Sequence, residues 1–150
     1  MPFLTLEQAE IICDKAMEKG RELGFAPLTV AVFDAGGALR VLKQPDPASV
    51  TRPHMALGKA WGAYAMGLPT RTIAQRHQNI PDLVGTMNLV FGGKIVPMQG
   101  GILIRDDKGD VVGTVAAAGD RPQNDEACAI AGVLAAGLVP DPEETDGVDI

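Results

Sequence analysis

The stretch LTVAVFDAGGALRVLKQ, residues 28–44, constrains this chain more than any other. Two runs rich in β-branched and aliphatic residues, Leu28–Phe33 and Ala38–Lys43, flank Asp34-Ala35-Gly36-Gly37. Glycines supply the positive φ that a tight reversal requires, and an Asp before them can accept hydrogen bonds from the turn amides. A β-hairpin follows, with Asp34 as a turn residue in preference to a catalytic carboxylate. A second hairpin is predicted in GGILIRDDKGDVVGTVAAAG, where Asp106-Asp107-Lys108-Gly109 separates Ile102–Ile104 from Val111–Ala117. Consecutive hairpins pair antiparallel and require no helical crossover, so the expected class is α+β.

Helices fill the remainder. Thr5-Leu6-Glu7-Gln8 has the spacing of a capping box, and Ala9, Ile12, Cys13, Ala16, Gly20 and Leu23 then fall on one helical face. Cys13 is on that apolar stripe and reads as a small core residue. After the Pro-rich loop QPDPASVTRP, the run HMALGKAWGAYAMG is helical, with Thr51 as its expected cap; its Ala56, Ala60, Ala63 and Gly67 form a small-residue face. Another helix starts near Thr70, also read as a cap, while Ile80–Val90 fits either a helix or a loop. Ile95–Val96 is read as a short strand. The last helix has Ala127, Ile130, Ala131, Leu134 and Gly137 at helical spacing, giving an order α-β-β-α-α-β-β-β-α.

With 150 residues and no linker or internal repeat, the chain reads as a single domain over residues 1–139. Residues 140–150 read as an acidic, flexible tail, with Asp141, Glu143, Glu144, Asp146 and Asp149 and no Lys or Arg. Net charge is −6, and removing that tail leaves the rest nearly neutral. Lack of a basic stripe argues against a nucleic-acid partner. No apolar run reaches membrane-span length, and the N-terminal segment lacks a signal-peptide pattern. Cys13 and Cys128 have no metal-ligand spacing, so a reduced, cytoplasmic protein is expected.

The motifs VAVFDAGGALRVL, ALGKAWGAYAMG, PMQGGILIRDDKGDVVGTVAAAGD and NDEACAIAGV, in this order from Leu4 to about Leu138, resemble the haem-binding GlcG/HbpS-like family. That family includes domains related to the C-terminal part of PduO-type cobalamin adenosyltransferases. The resemblance implies a profilin-like or PAS-like core with a five-stranded antiparallel sheet packed with helices. It also implies a homo-oligomer built from dimers, up to an octamer, and haem as the cofactor. The family's axial ligand cannot be carried over by motif. At the approach to the second helix this chain has Thr51-Arg52-Pro53-His54, where many members are acidic or neutral.

The residues themselves point to an anion. Arg52 and His54 flank the start of one helix, Lys59 follows five residues beyond His54 on a neighbouring face, and Arg71 stands at another helix start. Helix N-termini and cations together suit a carboxylate, whether a haem propionate or a small organic acid; the alternative is that Arg52 and Arg71 are solvated charges or partners of the acidic join at Asp120–Glu126. An imidazole at position 54 could ligate haem iron or move protons, whereas His77 lies in a polar, surface-like run. Met55, Met66, Met98 and Tyr64 are further candidate ligands or pocket walls, with methionine read first as core filler. Asp120, Arg121, Asp125 and Glu126 concentrate charge where the last strand meets the last helix. Asp120 is read there as a cap, with Pro122 in the first turn and Asp125 and Glu126 complementing the helix dipole. Three functions stay open. The first is a haem or tetrapyrrole binder using His54, with Arg52, Lys59, Arg71 and Asp125 as ligand-binding groups. The second is a cofactor-independent isomerase, hydratase or lyase acting on a small hydroxy- or oxo-acid, with His54 and Asp120 or Glu126 transferring protons. The third is a structural assembly protein.

Overall fold

The computed structural model describes residues 3–146. Its elements are α1 (Leu6–Glu22), β1 (Thr29–Asp34), β2 (Leu39–Lys43), α2 (Thr51–Met66), α3 (Thr70–Asn79), α4 (Pro81–Val90), β3 (Gly101–Arg105), β4 (Val111–Ala118), α5 (Pro122–Ala135) and β5 (Val139–Asp141). The strands form one sheet in the order β2-β1-β4-β3-β5, antiparallel at every pairing. This is the α+β, five-stranded antiparallel architecture expected.

Local chemistry accounts for the two hairpins and the first helix. Asp34 Oδ1 accepts the amides of Gly36 and Ala38 at 3.0 Å, closing the first turn. Asp106 Oδ1 does the same for Lys108 and Asp110 in the second. The capping box is formed: the Gln8 amide donates to Thr5 Oγ1, and the Thr5 amide to Gln8 Oε1, both at 3.0 Å.

The alternation of large and small residues along β1 and β4 sorts the two faces of the sheet. Val30 and Val32 pair with Ala117 and Val115 and face α1 and α5, joining Ile12, Ile102, Ile104 and Val133 in the larger core. Ala31, Ala116 and Ala118 face the other way, against Ala56 and Ala60 of α2. Small residues on both sides let α2 lie close on the sheet, and a Cβ at Gly101 would stand 2.6 Å from the Lys59 carbonyl. Cys13 and Cys128 are buried in the larger core, and burial pushes both thiols up to about 12.

Four local expectations change. Ile95–Val96 is not a strand: the Ile95 amide donates to Asn88 Oδ1 and the Val96 amide to the Gly58 carbonyl, so this segment packs on α2. The fifth strand is instead Val139–Asp141, which pairs with β3 and takes in Pro140 and Asp141 of the expected acidic tail; residues 147–150 of that tail lie outside the described residues. Thr51 does not cap α2; Ser49 Oγ accepts the amides of Thr51 and Arg52. Thr70 begins α3, but its hydroxyl bonds the Gly101 amide at 2.8 Å, tying the helix to β3 rather than capping it. Ile80–Val90, for which the sequence allows helix or loop, contains α4.

Candidate functional site

Helix α2 divides the residues grouped by sequence between two of its faces. At 3.6 residues per turn, positions three and seven apart share a face, whereas positions two apart diverge. His54, Leu57 and Trp61 therefore form one row and Arg52, Met55 and Lys59 another. Each row lines its own depression.

The His54 row faces a groove of about 390 Å³. Phe33 and Leu39 of the first hairpin form one wall, and Lys94, after α4, closes an end. Trp61 meets Tyr64 and Phe91 edge-on, with ring centroids 6.0 and 5.4 Å away, and the Lys94 Nζ stands 5.2 Å from the Trp61 ring. An ammonium over an indole face is held by the ring quadrupole while its other side stays free to meet an anion. His54 and Leu39 are exposed at the rim.

The second row faces a depression of about 220 Å³ at the β4–α5 junction, where Arg52, Lys59, Asp120 and Asp125 come together. Lys59 is 2% exposed; its Nζ donates to Asp125 Oδ2 at 2.9 Å and to the Ala117 carbonyl at 3.2 Å. Asp125 Oδ1 accepts the Asp120 amide at 2.9 Å. Burial raises the Asp125 carboxyl to about 6, and the charge and hydrogen bond of Lys59 offset only part of that. Arg52 donates to the Pro27 and Pro47 carbonyls at 2.5 and 2.7 Å.

Asp120 and Glu126 do other work. Asp120 precedes the N-cap Arg121, so it is not itself the cap. Its Oδ2 accepts the Ala26 amide at 2.7 Å, and its Oδ1 accepts the Arg121 amide and the Asn124 side chain. Burial pushes its carboxyl up, but these hydrogen bonds prevail and hold it below the usual range. Glu126 is fully buried and is gripped by Arg71 through both carboxylate oxygens, Nε to Oε2 at 3.0 Å and Nη2 to Oε1. That contact raises the Arg71 pKa. Arg71 Nη2 also donates to the Glu144 carbonyl. The structure thus brings Arg52, Lys59, Asp120 and Asp125 around one depression, pairs Arg71 with Glu126, and puts His54 in another place. His77 is exposed on α3.

Phe33, Trp61 and Lys94 escape the sequence reading. A signal for Trp61 exists, because it stands seven residues after His54 and so on the same face. Lys94 gives none, since the loop that positions it has no periodicity.

Among the described residues, no helix is long and apolar enough to cross a membrane. Residues 4–134 match the family model described as haem degrading protein HbpS-like. The chain is similar to the crystal structure of HbpS, with 28% identity and a TM-score of 0.76, covering 89% of this chain and 90% of that one. It is also similar to PduOC, crystallised as a haem complex, with 24% identity, a TM-score of 0.81 and coverage of 91% and 97%. The Klebsiella pneumoniae protein ORFY, of the DUF336 family, gives 24%, 0.80, 89% and 90%. At these lower identities the last two likenesses speak to the shared fold. No curated protein is a significant match.

Proposed function

This chain belongs to the HbpS-like family, and we propose that its groove between the first hairpin and α2 binds haem or a related tetrapyrrole. The observation that carries this reading is the convergence of His54, Trp61 and Lys94 on one apolar groove. The chain is poor in aromatic residues, yet its single Trp lines this groove with Phe33, and its single Tyr packs on that Trp. A flat macrocycle gains most from such apolar and aromatic walls.

The donor set fits the group. His54 would offer an imidazole to the iron, and the Lys94 ammonium would hold a propionate as a charge-assisted partner. When bound, haem would supply a redox-active iron. The chain's own part is to bury the ring against Phe33, Leu57 and Trp61 and to hold the carboxylates at Lys94. Lys94 takes the propionate role expected of Arg52, Lys59 or Arg71, because none of those three lines this groove.

The test is a haemin titration followed by absorbance, on wild type, His54→Ala and Lys94→Glu. A saturable, stoichiometric shift of the Soret band, lost or displaced in His54→Ala and weakened in Lys94→Glu, is the expected result. An unsaturable spectrum in wild type overturns the reading. Wild-type behaviour in both variants moves the ligand away from this groove.

A further inference from the structure

We infer that the depression between the start of α2 and the β4–α5 junction is a second site, distinct from the groove, that binds a small monocarboxylic acid. Its volume is about 220 Å³, smaller than the 390 Å³ of the groove, which suits a short-chain acid.

The hydrogen-bond inventory selects the charge type. Every carboxylate oxygen lining the depression is already engaged by a protein N–H. Asp125 receives Lys59 and the Asp120 amide, and Asp120 receives the Ala26 and Arg121 amides and Asn124. What remains unspent is donor capacity. An ammonium has three N–H groups and a guanidinium five. Lys59 uses two, on Asp125 and the Ala117 carbonyl, and Arg52 spends one each on Pro27 and Pro47. Lys59 is 2% exposed, so its remaining N–H cannot rely on bulk water.

The Lys59 head is also held in place. A Cβ at Gly100 would lie 2.8 Å from its Nζ, so the glycine there provides the space that the ammonium fills. A carboxylate can bridge Lys59 and Arg52, which a single neutral carbonyl oxygen does less well. Pro122, the first residue of the 14-residue helix α5, lines the same depression, so the positive end of that helix dipole adds to the preference for an anion. Met55 and Met98 supply apolar walls for a short carbon chain.

The test uses the full chain with propionate as probe and propionamide as its neutral analogue, followed by ligand-observed NMR and calorimetry. Propionate should bind saturably, and propionamide about tenfold or more weakly, the effect of removing a charge-assisted hydrogen bond. Arg52→Gln should weaken propionate binding by a similar factor. Because Arg52 also anchors two loops, Met98→Trp is the second variant; Met98 is exposed, so the larger ring fills the depression without disturbing the core. It should abolish binding while leaving the circular dichroism spectrum unchanged, and His54→Ala should leave propionate binding intact. Equal affinity for propionamide, no saturable binding in the millimolar range, or propionate binding preserved in folded Met98→Trp overturns the assignment. None of these outcomes depends on haem.

Discussion

Asp125 and Glu126, adjacent in α5 and both essentially shielded from solvent, are neutralised by cations from two different helices. Asp125 meets Lys59 of α2 at 2.9 Å, and Glu126 meets Arg71 of α3. Consecutive helical residues point about 100° apart, so one charged dipeptide ties α5 to two neighbours across β4 and β3. The cluster of charge in an otherwise small and apolar stretch is thereby explained in large part as a packing device. Its Lys59 arm also opens onto a cavity.

Removing one side of this device should cost far more than removing both. Lys59→Met leaves Asp125 buried with no counter-ion, which is expected to destabilise the fold by about 3–5 kcal/mol. The double variant Lys59→Met, Asp125→Leu should recover most of that loss, because an apolar pair of similar volume avoids the desolvation of both charges. Urea unfolding of the two variants and wild type measures the difference. A double variant no more stable than Lys59→Met would overturn this account, because the unpaired Asp125 charge would then not be the source of the loss.

Asp125 also sets a pH dependence. Its carboxyl is raised from the ordinary 3.8 to about 6, burial being the main cause. Between those values the native state holds a proton that the unfolded chain releases, so stability from this group falls as pH rises. The contribution is fully present below pH 3.8 and is lost as pH passes through about 6. The loss is at most about 3 kcal/mol. Unfolding free energies of wild type and Asp125→Asn, measured from pH 4 to 7, should converge on a common slope only above the Asp125 transition. Identical slopes throughout would place its pKa at the ordinary value.

Glycines test the helix packing. A Cβ at Gly132 would collide with the Ile12 carbonyl, so α1 and α5 approach closely there. Gly132→Ala must push the helices apart and is expected to cost about 1–3 kcal/mol. Gly85, in the interior of α4, has open space where a Cβ would stand, with nothing within 4 Å. Gly85→Ala should therefore stabilise by about 0.5–1 kcal/mol through helix propensity. Thermal melts of the two variants should move in opposite directions.

Hairpins, capping box and the apolar faces of α1 and α5 are legible in the sequence, because each is decided by residues within a few positions of one another. Asp34 and Gly37 close a turn whatever surrounds them, and Thr5 reaches Gln8 along its own helix. Strand Val139–Asp141 is not legible: so short a segment, with a proline at its centre, forms a strand only because β3 offers an unpaired edge. Arg52, His54 and Lys59 all lie on α2, and spacing already puts Lys59 on a face neighbouring that of His54; only the packing of α2 against the sheet shows which depression each row meets. Tertiary structure alone brings Lys94 onto Trp61, Lys59 onto Asp125 and Arg71 onto Glu126. Those contacts join segments between 33 and 66 residues apart, beyond the range over which local spacing specifies geometry.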